Sequence, residues 1–533
     1  MILERAAPAR RQRSERGALL PVGLWLVAAL VSGFTAWRYL EPFDEGLLLQ
    51  AATRVADGQW PYADFGWSYG PGQPLLIALA FKLLGPSVVW WRLVRVAADA
   101  TAALLVWRLT GRAAGPGWAL VAWAAAALVS AQPTSANPAA VAFALALAAL
   151  AVATGGDSAT PRRAASAGAL AALAGFWRPD FGLVAAAAVV AALLVRRGGT
   201  GGARAAVVAG RDAADGARAA PVAAAAAVAG TVLLWLPFAV VVGPGELWEV
   251  FVAGSAREGE FWSLPFPLVY DGPLRAWPPG DLATDVKDLL GYELPLAGVV
   301  ALAGAAVSLR RALSPVLVGL LVLGAGMAVY LFSRPDEQHA QPLLIAACAF
   351  VPIALAARPA RPLAAVLALS LVLLLAVGAA NRLSALVLPP DLEPVRLDGV
   401  PGIRVPPDEA RALPPMVALV QQLVPPGEPI YVAPRRSDLV TLSAPLVHFL
   451  VDRPNLLEDD VLLQARPAEQ QRIVAALRRD PPRAVVRWTD PLSSRPEPNA
   501  RGRPSGSRAL DEHLASAYRL RARFGAYDVL VPR

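Results

Sequence analysis

Pro42-Phe43-Asp44-Glu45, then Gly58-Gln59-Trp60-Pro61-Tyr62-Ala63-Asp64-Phe65 and Tyr69-Gly70-Pro71-Gly72, make up the first polar segment after an apolar run from about Ala18 to Leu40. The reading of this stretch decides the fold. A run of that length can cross the roughly 30 Å hydrocarbon core of a bilayer as a helix, which puts the two carboxylates where a membrane helix meets water. A carboxylate at that depth can take a proton from a hydroxyl while a lipid-borne substrate lies alongside. The plain alternative is that Asp44 and Glu45 are only the acidic first-turn residues of the next helix.

The rest of the chain fits a membrane setting. Of its 533 residues, 56% are hydrophobic and 17% charged, so many stretches reach the length of a bilayer span. The net charge of +8 comes from basic residues scattered through short loops between apolar spans, a pattern that fixes membrane topology and argues against nucleic-acid binding. Cys348 is the only cysteine, which excludes an internal disulfide and a cysteine-rich metal site.

Arg5, Arg10, Arg11, Arg13 and Arg16 precede the first run and hold the N-terminus in the cytoplasm, which makes the following loop external. Further spans are expected near 87–110, 116–133, 138–154, 164–177, 181–196, 220–243, 292–309, 313–333, 341–357 and 362–380, giving about eleven transmembrane helices. Threading them from an inside N-terminus puts Arg108, Arg112, Arg162, Arg163, Arg196, Arg197, Arg310, Arg311, Arg358 and Arg361 at cytoplasmic ends. Residues 41–86, 244–291 and everything after about 381 are then external.

Within the first loop, Leu47, Leu48, Ala51 and Val55 recur at helical spacing, with Gln50, Arg54 and Asp57 on another face. This predicts a juxtamembrane helix lying along the bilayer. A second short apolar helix, Pro74–Leu84, is expected after the turn at Gly70-Pro71-Gly72. Beyond residue 380, a proline-rich linker (381–425) leads to a small external α/β domain (426–533). That domain is expected to have strands near 429–432, 483–488 and 527–531, amphipathic helices at 467–479 and 509–521, and a mobile loop from Asp490 to Arg508.

The chain has no Asp-x-Asp, no P-loop and no strand-coupled Gly-x-Gly-x-x-Gly, so a nucleotide-linked sugar is a poor candidate substrate. A donor already in the membrane, such as a polyprenyl phosphate sugar, would instead need cations near the external interface. Arg92 and Arg95 are candidates, with Asp99 on the same helical face; an internal Arg95–Asp99 brace is the alternative. Arg178, in Phe176-Trp177-Arg178-Pro179-Asp180, and Arg334, in Ser333-Arg334-Pro335-Asp336-Glu337-Gln338-His339, occupy external turns. His339 could join a carboxylate on a divalent ion or neutralise phosphate; one histidine is a thin ligand set, and no cofactor is expected. Arg257, Glu258 and Glu260 beside Phe261-Trp262 could grip a sugar acceptor, or form only a solvated turn.

Taken together, the architecture of residues 18–380 and the first loop resemble the GT-C superfamily of membrane glycosyltransferases. That class includes protein O-mannosyltransferases, the aminoarabinose transferase of lipid A and the RgtA/B/C/D-like proteins. The resemblance implies that an acidic residue of the first loop is the catalytic base, which by position is Asp44, with Glu45 as second choice. It also implies that Arg178 contacts donor phosphate, and it relates Arg334, Asp336 and His339 more loosely to polar residues after a late helix. Tyr62, Asp64 and Tyr69 join the candidate substrate-binding set. The expected partners are a polyprenyl phosphate sugar, an envelope glycan, lipid or protein acceptor, and membrane lipids. A transporter or flippase of lipid-linked saccharides is the alternative; such proteins tend to carry repeated halves and mid-bilayer broken helices, while here the polar clusters gather at one face.

Overall fold

The computed structural model describes residues 7–533 apart from 131–132, 157, 197–201, 269, 271, 276, 311–312 and 461–465. Each of the eleven apolar stretches falls on a helix. The first, α1 (Ala7–Gly33), stops short of Leu40, because the chain turns there and Arg38 makes an isolated bridge to Arg404. Two short helices follow, α2 (Asp44–Ala56) and α3 (Gly72–Leu84), as the first-loop pattern predicts. The bundle continues with α4 (Val88–Ala114), α5 (Pro116–Ser130), α6 (Ala139–Ala153), α7 (Pro161–Trp177) and α8 (Pro179–Leu194). Where the sequence supplies a cap it is used: Ser87 Oγ accepts from the Val89 amide at 3.3 Å, and Thr160 Oγ1 accepts from the Arg163 amide at 3.4 Å.

Helix α9 (Gly202–Val241) starts well before the expected 220, since a charged segment continues the same helix past the apolar span. A small helix α10 (Pro244–Trp248), a π-helical stretch and α11 (Ser255–Trp262) cross the next loop. The side chains of Arg257, Glu258 and Glu260 lie outside the described residues. Next come α12 (Pro279–Val307), α13 (Pro315–Ser333), α14 (Glu337–Ala356) and α15 (Arg361–Val387). Among the described residues, α12 to α15 and the Ala214–Val241 part of α9 are long and apolar enough to cross a membrane by themselves. In α14, 83% of the most apolar window is buried, against 11% in α9, so α14 forms the bundle centre and α9 its lipid-facing rim.

Residues 381–425, expected as a linker, hold the end of α15, the pair β1 (Glu393–Pro394) and β2 (Arg404–Val405), and helix α16 (Pro407–Leu423). The C-terminal domain then runs β3 (Tyr431–Ala433), α17 (Leu446–Val451), α18 (Pro467–Arg479), β4 (Val485–Trp488), α19 (Ala509–Ala517), β5 (Tyr518–Phe524) and β6 (Tyr527–Pro532). Its sheet has the order β3-β4-β6-β5, with β3 and β4 parallel and the other pairs antiparallel. Residues 518–521, expected to end a helix, belong instead to β5. There Tyr518, Leu520 and Phe524 alternate with Arg519, Arg521 and Arg523, the period of a strand. Residues 490–508, expected as a mobile loop, are tied down by backbone bonds to 438–442, including Val440 N to Arg503 O at 2.9 Å and Leu442 N to Ser493 O at 3.1 Å.

The helix α2 differs most from expectation. Its polar side is not wet: its residues from Glu45 to Ala52, and Arg54, are buried, and α17 of the C-terminal domain packs on it. Gly46 is the reason the two can approach so closely, since a Cβ there would run into the backbone of Leu446. Arg54, expected on the polar face, instead donates to Asp460 Oδ2 at 2.9 Å and to Leu457 O at 2.6 Å, inside the contact.

Candidate active site

A cavity of about 950 Å³ opens where the first loop, the α7–α8 turn, the α13–α14 turn and the C-terminal domain meet. On the first-loop side, the job of capping α2 falls to Glu41, whose carboxylate accepts from the amides of Phe43 at 3.0 Å and Glu45 at 2.8 Å. Asp44 is thereby left with a carboxylate that makes no hydrogen bond among the described residues and lines the cavity. Burial raises its pKa above the ordinary carboxylate value; His339 and Arg334 pull it back, while Asp336 pushes it up further. Glu41 also lines the cavity, and burial together with the neighbouring Asp44 pushes its pKa up to about 8.

Glu45 is spoken for. Arg92 donates to its two oxygens at 2.8 and 2.7 Å and, from the same guanidinium, to the carbonyls of Ala36 and Tyr39, each at 2.7 Å. Neither residue is among those lining the cavity, so the pair fastens the α1–α2 connection to α4. Arg95 behaves alike, holding Asp99 at 3.0 Å, Gln341 at 2.7 Å and the Ser135 carbonyl at 3.0 Å beneath the site. The intramembrane Arg95–Asp99 brace considered from sequence is therefore present.

The second wall is set by Gly70. Its amide donates to Trp177 O at 3.1 Å, an approach that a Cβ would block, and this seats Tyr69 against the α7–α8 turn. There Arg178 ends α7 and precedes α8. Its guanidinium pairs with Asp180 at 3.1 and 2.9 Å, reaches Asn137 Oδ1 and the Tyr330 hydroxyl at 3.4 Å, and lies 4.6 Å from the centre of the Tyr330 ring and 5.4 Å from that of Tyr69. An aromatic cage of this kind orients a planar cation, here with its Nε–Nη2 edge on Asp180 and Nη1 toward Asn137 and Tyr330. Tyr62 and Asp64 lie elsewhere. The Tyr62 hydroxyl donates to Tyr69 O and its ring packs on Trp235, Phe238 and Phe251, while exposed Asp64 accepts from the Trp60 amide at 2.7 Å. Both shape the loop, and neither is among the lining residues.

Across the cavity, Asp336 caps α14 by accepting from the His339 amide at 2.8 Å, and it contacts the His339 ring Nδ1 at 2.8 Å. Burial alone would raise the Asp336 pKa, but these bonds and Arg334 outweigh it and hold the group below its ordinary value. Arg334 donates to Asp336 and to the Trp262 carbonyl, each at 2.8 Å, and to both oxygens of Glu497 at 3.1 Å. From the C-terminal domain, Leu442, Trp488, Leu492 and Arg501 complete the lining. No group of three His, Cys, Asp or Glu side chains suited to a metal ion occurs among the described residues.

Of the residues singled out from the sequence, Asp44, Tyr69, Arg178, Arg334 and His339 share one cavity, and Glu45, Tyr62, Asp64, Arg92 and Arg95 do not line it. Glu41, Asn137, Tyr330 and Arg501 line it too and were not expected there. Glu41 stands three residues before α2 and not at the position just ahead of the helix where a cap is read from sequence, so it gave no signal.

The fold is that of a largely helical, multi-pass membrane protein with a small C-terminal sheet domain over its cavity. No protein-family model and no curated protein sequence matches the chain. Among solved structures, it is similar to ArnT from Cupriavidus metallidurans in the apo state, with a TM-score of 0.55 and 15% identity over 97% of this chain and 98% of that one. ArnT, an aminoarabinose transferase, is a member of the GT-C superfamily, and the likeness shows that the chain has the GT-C fold. ArnT from the same organism bound to undecaprenyl phosphate is similar with a TM-score of 0.40 and 13% identity, over 96% of this chain and 97% of that one. The Archaeoglobus fulgidus oligosaccharyltransferase tethered with an acceptor peptide is similar with a TM-score of 0.49 and 12% identity, over 88% of this chain and 69% of that one.

Proposed function

We propose that the protein is an inverting glycosyltransferase that moves a sugar from a polyprenyl phosphate to a hydroxyl of a cell-envelope acceptor at the external face of the membrane. The observation that carries this reading is the pairing, in one cavity, of the unpartnered Asp44 carboxylate with the caged Arg178 guanidinium. Asp44 takes the acceptor hydroxyl proton as the oxygen bonds to the anomeric carbon. The bond from that carbon to the phosphate oxygen breaks, its electron pair leaves with the lipid phosphate, and Arg178 meets the charge that develops there. His339 and Arg334 bias Asp44 toward the ionised form that a base requires. No metal enters this scheme, and the sugar and acceptor are left to assay.

The test is to incubate purified protein with a panel of radiolabelled polyprenyl phosphate sugars, with and without envelope extract. Label should pass to the extract for one donor and be lost with Asp44→Asn. Movement of intact labelled lipid across a vesicle, with no transfer, would instead establish the flippase alternative.

A further inference from the structure

The membrane bundle and the C-terminal domain each bring one guanidinium to the same wall of the cavity, Arg334 from the end of α13 and Arg501 from the segment after β4. Glu497 stands between them. Arg334 Nη2 donates to both its oxygens at 3.1 Å, Arg501 Nη1 to Oε1 at 2.8 Å, and Asn499 Nδ2 to Oε2 at 2.9 Å. Burial opposes ionisation of Glu497, yet these donors hold its pKa below the ordinary value. Two guanidiniums converging on one small oxyanion is how proteins bind phosphate and carboxylate groups.

Two details separate this arrangement from an ordinary surface ion pair. Arg334 is fixed independently by Asp336 and the Trp262 carbonyl, so its position does not depend on Glu497. Arg501 keeps a buried Nε–H with no partner, so the pair has more donors than Glu497 accepts. The leaving phosphate of a lipid donor needs one cationic site, and Arg178 supplies it from the helix bundle. The second cationic site is built partly from the C-terminal domain, beside Leu492 and Trp488, and so faces the other substrate.

We propose that Arg334 and Arg501 form a second oxyanion subsite, which takes a phosphate or carboxylate group of the acceptor in exchange for Glu497, an internal carboxylate that otherwise occupies it. The word acceptor rests on the glycosyltransferase reading; the exchange of anions does not.

The experiment therefore reads binding and not turnover. Full-length protein in detergent, carrying Arg178→Gln to remove the first anion site, is titrated with inorganic phosphate and separately with acetate, following tryptophan fluorescence. Trp262 reports, since the Arg334 guanidinium lies 5.8 Å from the centre of its ring. Glu497→Gln should tighten binding of at least one of the two anions about tenfold, the scale of one charge-assisted hydrogen bond. Adding Arg501→Gln should remove that gain. The proposal is overturned if Glu497→Gln leaves both affinities unchanged, or if the gain survives Arg501→Gln. Should Glu497→Gln fail to fold, hydrogen exchange of residues 490–508 in the unaltered protein decides: saturating phosphate or acetate speeds exchange there if Glu497 is displaced, and equal rates sink the idea. Anion exchange without sugar transfer would leave this subsite standing and remove only the proposed function.

Discussion

Arg92 grips both oxygens of Glu45 at 2.8 and 2.7 Å, in a pair of which Arg92 is 1% and Glu45 0% exposed. Two adjacent carboxylates, Asp44 and Glu45, therefore have unlike roles: one faces the cavity and the other locks the loop to α4. Removing one partner of a buried pair strands the other charge and costs about 3 to 5 kcal/mol. Glu45→Gln should lower thermal stability by an amount in that range, and Arg92→Gln by more, because Arg92 also satisfies the Ala36 and Tyr39 carbonyls. A melting curve for Glu45→Gln that matches the unaltered protein, together with lost turnover, would move the catalytic role to Glu45.

Asp44→Asn keeps the shape of the side chain and removes its basicity. Turnover should fall roughly 10²-fold or more, with donor affinity and melting temperature largely kept. Because burial raises the Asp44 pKa, the acid limb of the rate profile should have its midpoint above the ordinary carboxylate value of 3.8. Activity rises with pH through that midpoint as the base ionises. An unchanged acid limb in Asp44→Asn would show that another group sets it.

Arg178→Ala should weaken donor binding by about 1.5 to 3 kcal/mol, the worth of a hydrogen bond to a charged group. Arg178→Lys keeps the charge and should lose less, though it forfeits the fork that holds Asp180 and the stacking over Tyr330. Equal donor affinity in the alanine variant and the parent, by equilibrium binding, removes Arg178 from the site.

Glu41 supplies a stability test with a definite sign. Its folded pKa of about 8 lies above the free value of 4.5, so the fold favours the protonated form. The stability it contributes is full below pH 4.5 and is lost as pH rises through about 8. Denaturant unfolding across that window should show a steeper decline in the parent than in Glu41→Gln, which keeps an acceptor for only one of the two amides but cannot ionise. Parallel curves would mean that Glu41 does not titrate there.

Orientation in the membrane can be read by labelling, since the sole cysteine, Cys348, is fully buried. Asp64→Cys and Arg521→Cys, both at exposed positions, should react with an impermeant reagent in intact cells, and exposed Arg162→Cys only after permeabilisation. The reverse pattern would invert the topology.

The helices were legible because apolar runs and their caps are local signals. Ser87, Thr160 and Asp336 stand one residue before helices that the hydropathy alone predicts. The two short loop helices were equally legible, bracketed as they are by Gly58 and by Gly70-Pro71-Gly72. What did not show was who meets whom. Nothing in the periodicity of α2 tells that Glu45 faces Arg92, 47 residues away, or that Arg54 faces Asp460, 406 residues away. An amphipathic helix reads the same whether its polar side meets water or a buried partner, so the enclosure of α2 by the C-terminal domain did not show. The site divides likewise. Asp44 and Arg178 stand out as charges at the ends of apolar helices, whereas Arg501 is one more charge in a polar loop until the fold delivers it to the cavity.

The seating of Gly46 against Leu446, with Arg54 closed on Asp460, bears on how the molecule is made. The helix that carries Asp44 is synthesised well before the surface on which it rests, Arg54 and Asp460 standing 406 residues apart. A growing chain therefore holds Asp44 in an unfinished loop until α17 and the segment around Asp460 have folded onto it, and the cavity gains its C-terminal-domain wall only then. A chain cut before α17 would lack the support of the helix that carries Asp44 as well as the wall that Leu442, Trp488, Leu492 and Arg501 supply.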